Sequence, residues 1–207
     1  MSVIDLQDED GRALMLASVE GDQQVVQVLL GQGASIDQQM ENGWTALMAA
    51  SQEGHQQVVE VLLGKGANID LQTINGWTAL MAASKEGHRE VVEALVGKGA
   101  NMDLKKENGF TALMVASLKG HREVVEALVG KGASIDMQDK DGWTALMVAC
   151  SKGHPEVVEA LVEKRASIEL QATNGSTALS LAKRAGHHQV ETLLRKSLLA
   201  AQGGGSA

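Results

Sequence analysis

Asn108-Gly109-Phe110-Thr111-Ala112-Leu113-Met114-Val115-Ala116-Ser117-Leu118-Lys119-Gly120-His121-Arg122-Glu123-Val124-Val125-Glu126-Ala127-Leu128-Val129-Gly130-Lys131-Gly132-Ala133-Ser134-Ile135-Asp136 holds one whole structural unit. Asn-Gly is a tight-turn dipeptide, because Gly accepts positive φ and Asn nearly so. Thr111 offers a hydroxyl to the orphan amides of a helix start. The spacing predicts a first helix over 112–119, ended by Gly120. A second helix follows over about 122–129, with Val124, Val125, Leu128 and Val129 at helical spacing on its buried side. Glu123 and Glu126 occupy its other side, where Arg122 and Glu126 can pair at i,i+4. Gly130-Lys131-Gly132 closes it with a cation and a glycine, and 133–136 run extended to the next turn.

The unit recurs. All four aromatic residues, Trp44, Trp77, Phe110 and Trp143, stand 33 residues apart, each after a turn glycine and before Thr-Ala-Leu-Met. Turn glycines fall at Gly43, Gly76, Gly109, Gly142 and Gly175, with Gly11 one residue out of step. A second series, Gly21, Gly54, Gly87, Gly120, Gly153 and Gly186, runs without slip. His follows it at 55, 88, 121, 154 and 187, and Asp22 stands in the first copy. Six units of 33 residues cover nearly the whole chain of 207. A fixed period in this range marks a solenoid, in which each unit buries its apolar faces against its neighbours. The core must then come from Leu, Val, Ile, Ala and Met, with the aromatics at a repeated outer position.

In length, helix pattern and the G-H-x-x-V-V-x-x-L-[LV]-x-x-G-A core, these units resemble the ankyrin repeat, from about Ile4 to Ser197. The resemblance implies an all-α helix-turn-helix solenoid with β-turn fingers. It implies one domain over 1–202, with repeats at about 4–39, 40–72, 73–105, 106–138, 139–171 and 172–202. Residues 203–207, Gly-Gly-Gly-Ser-Ala, read as a flexible linker or a remnant of engineering. Two departures stand out. The family's first helix typically opens Thr-Pro-Leu-His; here it opens Thr-Ala-Leu-Met, so a polar contact between repeats gives way to adaptable methionine packing. Asp37, Asp70, Asp103, Asp136 and Glu169 stand where the family commonly has Asn, so its asparagine hydroxylation has no matching residue.

The two ends differ. Val26, Val59, Val92, Val125 and Val158 give way to Glu191 in the last repeat, Leu30 and its equivalents to Arg195, and the Ser51 series to Lys183. The methionine position becomes Ser180. That pattern is expected of a terminal cap whose outer face meets water. At the other end, Ile4-Asp5-Leu6-Gln7 matches Ile69-Asp70-Leu71-Gln72. It therefore reads as the extended tail of a repeat, either cut from a longer array or used as a truncated cap.

Several chemistries are weighed against the repeat itself. Zinc needs donors about 2 Å from one ion. Equivalent histidines in stacked repeats stand roughly 8–10 Å apart, so they are expected to be structural. Met15, Met48, Met81, Met114 and Met147 are expected in the core between repeats, and Cys150 as a small buried thiol. No nucleophile, base and oxyanion donor come together, and no cofactor motif is present, so catalysis is not expected. A net charge of −8, from 26 acids and 18 bases, disfavours nucleic acid. An acidic N-terminus, no long apolar run and one cysteine fit an intracellular, cytoplasmic home without membrane insertion.

The candidate site is the aromatic stripe Trp44, Trp77, Phe110 and Trp143 together with Lys85, Lys119, Lys140 and Lys152. The stripe is read either as rings lying flat over the neighbouring turn or as binding anchors, since Trp is enriched at hot spots. Lys85, Lys119, Lys152 and Arg184 lie near the ends of first helices, and Lys106 and Lys140 near turn tips. In the family these elements line the concave side, while Glu60, Glu93, Glu126 and Glu159 lie on second helices at the convex back. Either the lysines complement helix dipoles or they make the inner face basic. The resemblance implies a protein or peptide partner, here acidic or apolar, held on the concave face without catalysis. The alternative is an engineered or excised scaffold that self-assembles, as a homo-oligomer, or carries a fused element.

Overall fold

The computed structural model describes residues 3–203. They form six helix pairs and, among the described residues, no strand. In chain order the pairs are α1 (Val3–Glu20) with α2 (Gln23–Gly31), α3 (Ala46–Glu53) with α4 (Gln56–Gly64), and α5 (Ala79–Glu86) with α6 (Arg89–Gly97). They continue with α7 (Ala112–Lys119) and α8 (Arg122–Gly130), α9 (Ala145–Lys152) and α10 (Pro155–Glu163), and α11 (Ala178–Ala185) and α12 (His188–Gly203). First helices stack on first helices and second on second, giving two helical layers with a continuous core.

Local chemistry sets each start and stop. Thr45, Thr78, Thr111 and Thr144 are extended, and their hydroxyls accept from the amides of Met48, Met81, Met114 and Met147 at 3.2–3.4 Å. Thr177 and Ser180 close a reciprocal capping box. Each of α3, α5, α7, α9 and α11 ends at a left-handed glycine. At Gly87, φ is +84°, and a Cβ would stand 2.8 Å from the His121 ring of the next pair. Both facts exclude a side chain. Two residues past the second helices stand Gly33, Gly66, Gly99 and Gly132, all at positive φ; Arg165 takes the same place with φ 66°. The left-handed backbone persists there despite a side chain.

The first pair corrects an expectation. Ile4-Asp5-Leu6-Gln7 is not an extended tail but part of α1, which runs unbroken through Gly11. In the 33-residue register Arg12 stands where the other units have the capping threonine, and Gly11 where the four middle units have the aromatic. With neither cap nor turn glycine in step, nothing halts the helix. At the other end α12 continues to Gly203, and residues 204–207 of the expected linker lie outside the described residues.

Met48, Met81, Met114 and Met147 are buried between first helices as expected, whereas Met15 is half-buried. Cys150 is fully buried, and burial pushes its thiol up to about 12, leaving it protonated and a poor nucleophile. Its register partners Ser51, Ser84 and Ser117 bury hydroxyls without a hydrogen-bond partner, while Ser18 donates to the Leu14 carbonyl at 2.7 Å.

Candidate functional site

The turns form fingers. Within one, the Thr73 amide donates to the Trp77 carbonyl at 2.9 Å, and the Gly76 amide to the Thr73 carbonyl at 2.8 Å. Finger also joins finger: Ile74 N–H meets the Asn42 carbonyl at 3.2 Å, Glu107 that of Asn75 at 2.9 Å, and Thr173 that of Asp141 at 2.9 Å. Gly76 is required by this stacking, because a Cβ there would lie 2.7 Å from the Lys106 Cα.

Side chains tie the units together at two further levels. Each Gly-His histidine reaches a carbonyl 36 residues earlier, His55 to Val19 at 2.8 Å and His121 to Lys85 at 2.9 Å. Asp22, in the first copy, instead caps α2 by accepting from the amides of Gln24 and Val25. The histidines therefore serve as struts, as expected. The aspartates do unforeseen work: Asp37, Asp70 and Asp136 accept from the amides of Asn68, Asn101 and Ser167, 31 residues on, at 2.9–3.0 Å. Asp103 accepts from the amide and hydroxyl of Ser134. A carboxylate accepts such a bond about twice as strongly as a neutral group.

The four aromatic residues are half-buried and packed against the core. They border grooves along the fingers, two of which extend to first-helix ends. Phe110, Leu118, Trp143 and Lys152 line one of about 350 Å³, with Asp139 and Asp141 on its finger side. Trp77 and Lys140 share a second of about 370 Å³ with Lys106 and Glu107. Trp44 borders a third of about 310 Å³, with Met15, Val19, Met40 and Glu53. Lys106 sits between two rings, its Nζ 5.0 Å from the Trp77 centroid and 5.6 Å from that of Phe110. The rings thus pack against the core and also border surface grooves.

The lysines divide. Lys85 is paired with Glu86 at 2.6 Å, and this hydrogen bond holds the Glu86 carboxyl below its ordinary range. Lys119, Lys140 and Lys152 are exposed. In register, Lys85 aligns with Leu118, whereas Lys119 and Lys152 align with Glu20, Glu53 and Glu86. The expectation of a basic inner face is therefore corrected for its first half, where the same helix-end position is acidic. Aligning each helix end by 33 residues would have revealed the change of sign. On the second helices Arg89 pairs with Glu93 and Arg122 with Glu126, both at 2.8 Å, and Arg122 also reaches Glu159 of the next pair at 3.3 Å. Among the described residues no three His, Cys, Asp or Glu side chains converge as metal ligands, and no helix is long and apolar enough to cross a membrane.

This architecture of stacked helix pairs and hydrogen-bonded fingers is matched by the sequence comparison. The chain belongs to the ankyrin-repeat family: the family model for ankyrin repeats (3 copies) matches it over residues 2–73, 65–139 and 131–202. No curated protein matches the sequence. Ankyrin repeats are generally protein–protein interaction modules, and their family is typically non-catalytic.

Proposed function

We propose that residues 1–202 form one non-catalytic binding domain that holds a protein or peptide partner on its finger side, against turn tips and first-helix ends. The observation carrying this reading is the set of half-buried aromatic residues that border grooves along the fingers, two of which extend to first-helix ends. Rigid rings at the rim of a partly apolar groove supply contact area at low entropic cost, the usual basis of hot spots. Trp44, Trp77, Phe110 and Trp143 are the anchors, and Lys119, Lys140 and Lys152 steer. Lys85, already paired with Glu86, contributes less.

The test is binding kinetics of a protein partner with five variants, each checked for folding by circular dichroism. Trp77→Ala and Phe110→Ala should each weaken binding by about 2 kcal/mol or more. Lys119→Glu should mainly slow association and change its salt dependence. Glu93→Ala and Glu126→Ala, on the opposite layer, should leave binding unchanged. Sensitivity in the last two and none in the aromatic pair would move the working face to the second helices.

A second reading, self-assembly, is favoured by exposed Leu16, Val25 and Val28 on the outer side of the first pair. Light scattering over a concentration series separates the two: a monomer supports the binding module, a defined oligomer the assembly.

A further inference from the structure

The row of first-helix ends changes sign halfway along the molecule. Position by position it reads Glu20, Glu53, Glu86, Lys119, Lys152. Glu86 and Lys85 form a near-neutral centre. Glu20, Glu53, Lys119 and Lys152 are exposed, and among the described residues none of them is in an ion pair. The fingers carry mixed charge and do not repeat the pattern: Glu41, then Lys106 beside Glu107, then Asp139, Lys140 and Asp141. Asp139 is engaged by the amides of Asp141 and Trp143 at 2.9 and 2.7 Å. The polarity therefore belongs to the helix row.

Each pole has an apolar groove beside it. Val19, Met40 and Trp44 form one with Glu53 at its helix edge, and Phe110, Leu118 and Trp143 form another with Lys152 at its helix edge and Asp139 and Asp141 on its finger side. Resting on the finger-side reading above, we propose that this face takes an extended peptide segment that is itself polarised, cationic beside α1 and α3 and anionic beside α7 and α9, with an apolar side chain for each groove. Charge complementarity sets which way the segment lies, since reversing it would place like charges opposite each other at both poles. The poles are three stacked helices apart, roughly 24–30 Å at ordinary packing distances. An extended chain rises about 3.3 Å per residue, so the segment's two charge clusters should be centred about eight residues apart.

The probe is a displayed library of random peptides about 16 residues long, ~50 Å when extended. It is selected on the full chain at low salt, where exposed charges are least screened. Enriched peptides should carry one cationic and one anionic cluster at that spacing. E20K/E53K and K119E/K152E should each weaken a selected peptide about tenfold, mainly through association rate. The fourfold variant combining both pairs should prefer the same peptide synthesised in reverse order. Peptides that need Trp77, as shown by Trp77→Ala, but carry uniform charge and ignore E20K/E53K would overturn the polarity and leave the binding face standing. No enrichment, or enriched peptides indifferent to Trp77→Ala and to both charge reversals, would overturn the binding face and this inference with it. Dimerisation of the chain that either reversal abolishes would assign the face to a second copy instead, also against the proposal.

Discussion

The two outer faces of the stack meet the same physical problem with different side chains. On α11 and α12 the positions that would face a further pair are Lys183, Glu191 and Arg195, with Arg195 bonded to Glu191 at 2.8 Å. On α1 and α2 the opposite face keeps its apolar residues: Leu16 and Val28 are each 57% exposed and Val25 42%, although Val58, Val91, Val124, Val157 and Val190, in register with Val25, are buried. One face has been rewritten for water, and the other still has the composition of an interior junction. Apolar register alone does not make a core residue; a neighbour within reach does.

That contrast breaks most visibly by charging one register position at two places. Val91→Glu should cost at least about 3 kcal/mol in urea unfolding, because it buries an unpaired carboxylate between helices. Val25→Glu, with no pair stacked on its outer side, should cost under about 1 kcal/mol. Equal losses would mean that the outer side of α2 is covered in solution.

A smaller effect distinguishes the last junction from the others. Arg165→Gly should raise the melting temperature, relieving a left-handed backbone by about 1 kcal/mol, and Gly132→Arg should lower stability by about as much. A Cβ on Gly132 would meet nothing within 4 Å, so its cost is conformational. A lowered melting point for Arg165→Gly would reveal a compensating contact by the arginine.

Smaller again is the buried hydroxyl series. Ser84→Ala should stabilise by up to about 1 kcal/mol, since it removes an unpartnered hydroxyl, and Cys150→Ser should destabilise by a similar amount. Ser18→Ala should cost rather than gain, because its hydroxyl has the Leu14 carbonyl. Denaturant midpoints of the three variants would check the signs. The finest comparison is by hydrogen exchange, where amides of α1, α2, α11 and α12 should exchange faster than those of α5 to α8. Uniform protection would contradict a stack stabilised by its neighbours.

Much of this architecture is legible in the sequence. The 33-residue period, the threonine caps and the Arg122–Glu126 pair follow from local rules that act within one turn or one helix. The continuity of α1 is masked by the similarity of residues 4–7 to a repeat tail, although Arg12 lacks the capping hydroxyl that starts the other first helices. The aspartate and histidine bonds were hidden for another reason. Offsets of 31 and 36 residues depend on how far one pair is displaced against the next, and a repeat length alone does not contain that displacement. The sign change along the helix row needed only the alignment of Glu86 with Lys119, but Lys85 next door gave the appearance of an unbroken cationic series.

The struts between pairs have a consequence for the chain as a text. His88 meets Gln52 as His121 meets Lys85, through a backbone carbonyl that every residue possesses. An excision of residues 88–120 would join Gly87 to His121 and hand His121 the very carbonyl that His88 held. The seam would be spelled as before, Gly-His-Arg-Glu-Val-Val. Length in this molecule is therefore editable in whole units, and so is the ordering of charge: that one cut removes Lys119 and carries Lys152 a rung closer to Glu86.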